Sequence, residues 1–215
     1  MIRVVIGDDH TLMREGLKQL LQADGLDVVG EACDGNGVIE KVRTTEFDVL
    51  LLDLSMPGKS GLELIKWVKE MRPKVRILVL SMHSERQYAI RAIRAGASGY
   101  LTKESAPSQL VAAILKVAAG GAFVSPAVAE MLALEGVRSM DGPRHASLSD
   151  REFEVFRLLV AGVTVSDIAE RLNLSSKTIS THKARLMEKM GITSSAELVR
   201  YALSHDLLDD PDRSS

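Results

Sequence analysis

Residues 47–58 read FDVLLLDLSMPG. Val49–Leu52 is a short continuous apolar run that ends in an acid, Asp53, and then in the turn pair Pro57-Gly58. Four apolar residues without polar alternation fit a strand buried on both faces, the pattern of a parallel sheet. An acid that closes such a strand is expensive to keep there unless it is used. Working outward, similar runs occur at Arg3–Ile6, Val28–Val29, Ile77–Leu80 and Gly99–Leu101. Helical periods lie between them. Met13, Leu17, Leu20 and Leu21 share one face, as do Leu62, Ile65 and Val68, and Leu110, Ala113, Ile114 and Val117 repeat at i, i+3, i+4, i+7. Gly25, Gly58, Pro73 and Gly96 punctuate the units. Alternating strand and helix predicts an α/β domain over residues 1–121, a doubly wound five-stranded parallel sheet with helices on both faces.

In such a sheet, ligands collect beyond the carboxyl ends of the strands, where the strand order reverses. With the flavodoxin-like order 2-1-3-4-5, strands 1 and 3 are neighbours at that reversal. Asp8 and Asp9 end the first strand and Asp53 ends the third, so the three carboxylates are expected to converge. Clustered carboxylates repel unless a cation or proton intervenes, and an all-oxygen donor set suits a hard ion such as Mg2+. A carboxylate beside such an ion can act as a phosphoryl nucleophile. Ser81 follows the fourth strand and Lys103 the fifth, placing a hydroxyl and an ammonium at the same edge to contact phosphoryl oxygens. Tyr100 lies three residues before Lys103, where its ring can swing between buried and exposed positions. Each feature alone has an ordinary explanation: Asp8-Asp9 as a helix cap, a lone Ser, Tyr or Lys as surface chemistry. Their joint order, each after a successive strand, does not.

The alternation stops near Gly120-Gly121. Ser125–Leu134 reads as a short helix with Ser125 as N-cap and Pro126 at its first position. Residues 122–147 read as a linker containing that helix, since EGVRSMDGPRHAS is rich in Gly, Pro, Ser and charge. From Leu148 the pattern is all helical to about residue 205, and residues 206–215 form a polar, acidic tail expected to fray. Ser149 and Glu152 form a capping box ahead of Phe153, Phe156, Leu159 and Val160, and Gly162 stops that helix. A second helix at Val165–Leu172 presents Ile168, Ala169 and Leu172 inward. A short turn at Asn173–Ser175 leads to a third helix, capped by Ser175 or Ser176 and running to Met190, with Ile179, Leu186 and Met190 buried. Two helices joined by so short a turn form the DNA-binding helix-turn-helix arrangement, the second helix entering the major groove. Ser180, Thr181 and Ala184 then point outward as candidates for base edges. Lys177, Lys183, Arg185 and His182 are candidates for phosphates, with Thr178 in the same stretch. A solvated basic face is the plainer alternative.

The chain of 215 residues has a net charge of −2, which taken alone argues against nucleic acid. Residues 176–190, however, hold Lys177, Lys183, Arg185 and Lys189 against Glu188 alone, and salt isolates local charge over about 10 Å. There is no apolar run of the roughly 18 residues a membrane span needs. MIRVVIGDDH lacks the apolar core and cleavage site of a signal peptide. The single Cys33 cannot form an internal disulfide. These features favour a cytoplasmic protein.

VVIGDDHTLMREGL, FDVLLLDLSMPGKSGLELI, RILVLSMHSE and AIRAGASGYLTKE resemble the receiver domain of NarL/FixJ-type response regulators across residues 1–121. LSDREFEVFRLLVAGVTVSDIAERLNLSSKTISTHKARLMEKMGITSSAELVRYAL, within 148–205, resembles the LuxR-type DNA-binding domain. The resemblance implies a two-component, DNA-binding transcription regulator rather than an enzyme. It implies Asp53 as phosphoacceptor, with Mg2+ held by Asp9, Asp53 and the backbone carbonyl of Ser55, and by Asp8 largely through water. It makes Lys103 the phosphoryl contact and Ser81 and Tyr100 the switch pair, Ser81 standing where Thr is more frequent. Ser55 and His83 fall where the family tunes phosphoryl lifetime. The outward positions of the third helix carry small residues rather than long basic ones, a departure from the pattern. The implied partners are a sensor histidine kinase, double-stranded DNA, RNA polymerase and, when phosphorylated, a second copy of the chain, with Ala196–Leu203 as a dimer surface. Two rivals are a receiver governed by partners without phosphorylation and an aspartate-nucleophile phosphatase. Leu54 and Ser55 after Asp53 lack the second acid of the latter.

Overall fold

The computed structural model describes residues 1–56, 61–81, 86–105, 107–135, 143–205 and 207. Pro57, Gly58 and His83, and all of the acidic tail except Leu207, lie outside the described residues. The chain divides into two compact units, whose main boundary lies between Ala129 and Glu130.

The first unit alternates β1 (Arg3–Gly7), α1 (Thr11–Ala23), β2 (Asp27–Ala32), α2 (Gly35–Thr44), β3 (Val49–Leu52), α3 (Gly61–Met71), β4 (Arg76–Ser81), α4 (Arg86–Arg94), β5 (Gly99–Thr102) and α5 (Pro107–Ala118). The sheet is parallel with order β2-β1-β3-β4-β5, the flavodoxin-like arrangement expected. Strand alternation sorts the core. Val4, Ile6, Val49, Leu51, Leu78, Leu80 and Leu101 pack with Leu17 and Leu21 of α1 and with Leu110, Ala113, Ile114 and Val117 of α5. The alternate residues Val5, Leu50, Leu52, Ile77 and Val79 are equally buried and point to the opposite face. There a Cβ on Gly7 would lie 2.8 Å from Val38 Cγ2 of α2. The bare backbone at Gly7 therefore admits α2 just before the two acids.

β2 runs farther than Val28–Val29. Gly30 and Glu31 are poor strand formers, but pairing with Val5 and Ile6 of β1 carries them into the sheet. At the other edge, Tyr100 donates its N–H to the carbonyl of Phe123 at 2.9 Å, and Gly99 and Phe123 form a parallel bridge. α6 (Pro126–Glu135) follows, and Ser125 Oγ accepts from Val128 N–H as its cap.

The second unit, from the 3-10 turn Arg144–Ser147 onward, holds α7 (Asp150–Val160), α8 (Val165–Arg171), α9 (Ser176–Met190) and α10 (Ser195–Ser204). The capping box forms, with Ser149 accepting from Glu152 N–H and Glu152 accepting from Ser149 N–H. Phe153 and Phe156 stack at 5.9 Å between ring centroids in a core with Ile168, Ile179, Leu186, Met190, Leu198 and Ala202. The tight turn between α8 and α9 uses Asn173 at φ 51°, a left-handed conformation that Asn tolerates better than most residues. Arg144 and His145, read in sequence as linker, pack onto this unit. Arg144 Nη1 donates to Met190 O at 3.1 Å, and His145 Nδ1 lies 3.0 Å from the Tyr201 hydroxyl.

Candidate functional site

The carboxyl ends of β1, β3 and β5 bring together residues separated by up to ninety-five positions in the chain. Asp53 N–H donates to Gly7 O at 2.8 Å, which continues the β1–β3 ladder and sets the acid beside the β1–α1 turn. Lys103 N–H donates to Ser81 O at 2.7 Å, which seats the lysine at the end of β4 and β5. Its ammonium Nζ lies 2.7 Å from Asp8 Oδ2 and 2.9 Å from Asp53 Oδ2, with all three side chains buried. Burial by itself would push the Lys103 ammonium down. The hydrogen bond to Asp53 and the close negative charges of Asp8 and Asp53 outweigh burial and hold it above the ordinary lysine range.

Asp9 is the more open acid, about one-third exposed, and its Oδ1 lies 2.9 Å from His10 Nδ1. His10 N–H donates to Asp8 Oδ1 at 2.9 Å. Asp8, Asp9, His10 and Asp53 each offer a ligand atom, all within 4.8 Å of one another. His10 was not among the residues singled out by sequence. Its signal was only adjacency to the acid pair.

This donor set fits a hard divalent ion. Asp9 Oδ1 is buried, and His10 Nδ1 lies near it in distance but not along a hydrogen-bonding direction, so it retains acceptor capacity. Asp8 Oδ2 touches the Lys103 ammonium closely in distance but not along a hydrogen-bonding direction, so it too retains acceptor capacity. Three carboxylates against one ammonium leave an excess of negative charge that a cation would offset. Ser55 is exposed, and its N–H donates to Asp53 Oδ1 at 2.9 Å, while its neighbours Leu54 and Met56 are buried anchors for the loop. Ser81 is fully buried at the end of β4, and Tyr100 is buried on β5 opposite Val79.

The helix-turn-helix residues form a separate surface on the second unit. Ile179, Leu186 and Met190 of α9 are buried, as expected. Lys177, Ser180, Thr181, Ala184 and Arg185 are exposed, and Thr178, His182 and Lys183 are half-buried. The N-cap is Ser175, whose Oγ accepts from Thr178 N–H at 3.0 Å. Ser180 and Thr181 turn their hydroxyls back onto the carbonyls of Ser176 and Lys177.

Residues 4–115 match the response regulator receiver domain, and residues 146–202 match the bacterial regulatory proteins of the luxR family. The chain belongs to the NarL/FixJ family of two-component response regulators. Response regulator UvrY of Escherichia coli K12 is 37% identical over 210 residues, covering 96% of each chain. Response regulator GacA of Pseudomonas aeruginosa is 36% identical over 212 residues, covering 97% of this chain and 99% of the relative. Among solved structures, RcsB of Salmonella typhimurium aligns over 94% of this response regulator and 97% of its own chain, with 33% identity and a TM-score of 0.71. RcsB bound to promoter rprA in the presence of the phosphomimetic BeF3- aligns over 95% of this chain and 100% of its own, with 33% identity and a TM-score of 0.66. No helix among the described residues is long and apolar enough to cross a membrane.

Proposed function

We propose that Asp53 accepts a phosphoryl group from a sensor histidine kinase or a small phosphodonor, and that this event controls DNA binding through α9. The observation that supports this most is Lys103, drawn by two buried acids to the one sheet edge where Asp53 is reached from β1. An Asp53 carboxylate oxygen attacks phosphorus as the bond from phosphorus to the donor breaks, and the donor departs with the bonding electrons. Lys103 transfers its contact from Asp53 to the arriving phosphoryl oxygens, and the Ser81 hydroxyl donates to another. Asp8, Asp9, Asp53 and the carbonyl of Ser55 would hold Mg2+, which when bound neutralises charge on the phosphoryl oxygens.

The donor must reach Asp53 from outside. A groove of about 820 Å3 lined by Met13, Leu17, Leu20 and Leu110, with His10, Leu12 and Lys103 on its border, opens beside the site. Its exposed Leu12 suits the apolar surface of a protein donor. Tyr100 is buried in this state, and the phosphoryl group selects the arrangement in which Ser81 and Tyr100 have shifted.

In this reading residues 1–121 receive the phosphoryl group, 122–147 connect, 148–205 bind DNA and 206–215 form a tail. Lys177, Lys183, Arg185 and His182 position the duplex through phosphates, and Thr178, Ser180, Thr181 and Ala184 meet base edges. A phosphorylated homodimer in the cytoplasm reads two half-sites about one helical turn apart and passes the signal to RNA polymerase. Its role is regulatory, without turnover of an external substrate.

Incubation with acetyl phosphate and Mg2+, followed by intact-mass measurement and a DNA-binding titration, tests the proposal. The expected result is a phosphate-sized mass increase and tighter DNA binding, both absent in Asp53→Asn. A mass increase that persists in Asp53→Asn, or DNA affinity indifferent to phosphorylation, overturns it.

A further inference from the structure

The two acids of the β1–α1 turn are joined by one peptide, and the plane of that peptide sets where each carboxylate points. Its oxygen, Asp8 O, accepts a hydrogen bond from Arg14 Nη1 at 2.7 Å. Arg14 lies one turn into α1, its own N–H bonded to His10 O, and its side chain is mostly buried. Its Nε faces Glu31 Oε2 at 3.4 Å. Glu31 sits on β2 directly across from Ile6, and its other carboxylate oxygen accepts from Lys18 Nζ at 2.7 Å. Lys18, Glu31 and Arg14 thus form a line of alternating charge from α1 and β2 that ends on the Asp8–Asp9 peptide.

We infer that Arg14, oriented by Glu31 and Lys18, is a positioning residue for the divalent ion, holding the Asp8–Asp9 turn in the geometry that ion requires. The inference rests on the assignment of the acidic cluster as the Mg2+ site. A half-buried carbonyl needs a donor, and water or a neutral amide would serve. A guanidinium held by a dedicated carboxylate on a neighbouring strand does more. It fixes the peptide from a second direction, since the turn is otherwise tied through Asp8 N–H to Ala32 O and through His10 N–H to Asp8 Oδ1. It also places a permanent positive charge behind the acids, which reduces their mutual repulsion without entering the space between them. Asp8 then faces Lys103 and Asp53 while Asp9 stays on the open side beside His10. Groups that orient the primary ligands of a metal are typically worth 10–100-fold in its affinity.

The test is a Mg2+ titration of the full chain by isothermal calorimetry, beside thermal unfolding in EDTA. Arg14→Ala is expected to weaken Mg2+ binding about tenfold. Arg14→Lys, which keeps the charge and one donor, should restore part of the loss, and Glu31→Gln should show a smaller loss. Phosphorylation of Arg14→Ala by acetyl phosphate should be slow at limiting Mg2+ and approach the parental rate at saturating Mg2+. A merely structural clamp between α1 and β2 would lower the melting temperature and leave the Mg2+ affinity within about twofold, and that result overturns the inference. If Arg14→Ala does not fold, Glu31→Gln decides by the same two readouts. Asp9→Asn is the control. If it too binds Mg2+ like the parent, the cluster is not the metal site and the assignment beneath the inference fails.

Discussion

Lys103→Met removes the ammonium that neutralises Asp8 and Asp53 while keeping much of the side chain's length and apolar bulk. Both acids are almost fully buried, at 1% and 2% exposure, so water replaces little of what is lost. Removing one partner of a buried ion pair is generally destabilising by about 3–5 kcal/mol. The lower end applies here, because the acids sit at a sheet edge and Asp9 is partly open. For a unit of this size, about 3 kcal/mol corresponds to a fall of roughly 10 °C in melting temperature. Mg2+ should reverse most of it. An ion at a hundred times its dissociation constant adds about 2.7 kcal/mol, and the variant should bind Mg2+ more tightly because no ammonium competes for Asp8 and Asp53. Trp67 is the single tryptophan of the chain and lies on α3, so its fluorescence follows unfolding of the first unit alone. The expected result is a large loss in EDTA that mostly disappears in excess Mg2+, with the parent gaining less from the ion. A variant that melts within about 2 °C of the parent in EDTA, or equal stabilisation of both by Mg2+, would refute the reasoning.

Other predictions concern the second unit. Burial would raise the Glu152 carboxyl, but hydrogen bonds from Lys189 and from Ser149 hold it below the ordinary glutamate value of 4.5. A depressed folded value means its stabilisation is present above pH 4.5 and is lost as pH falls through the folded value. Glu152→Gln should therefore be less stable at neutral pH by about 1 kcal/mol and flatter below pH 4.5, as measured by acid unfolding under circular dichroism. Ser175→Ala removes the cap of α9 and should cost about 1 kcal/mol in urea unfolding, since Thr178 N–H loses its acceptor. Lys183→Ala should weaken DNA binding uniformly across sequences and reduce the salt slope by about 1. Thr181→Ala should instead change sequence preference, which a binding-site selection would reveal.

Much of the fold was legible because short-range rules and burial agreed. Leu110, Ala113, Ile114 and Val117 repeat at helical spacing, and all four are buried where α5 meets the sheet. Ser149 and Glu152 cap α7 through contacts only three residues apart. α2 was harder. It opens on Gly35-Asn36-Gly37, which disfavours a helix, and forms because Asp34 caps Gly37 N–H at 2.7 Å and Val38 and Val42 are buried. The length of β2 likewise depended on its partner strand rather than on its own residues.

The sequence by itself determined the order of strands and helices, the acids that end β1 and β3, and the exposed and buried faces of α9. Each of these follows from local periodicity, from capping, or from the cost of placing an acid after an apolar strand. Only the tertiary structure decided that one ammonium lies between Asp8 and Asp53, that His10 joins the acids, and that Arg14 grips the peptide between Asp8 and Asp9. Those contacts join β1, β3, β5 and α1 at ångström range. They depend on sheet register and side-chain direction, which arise only when the strands pair and the helices pack against them.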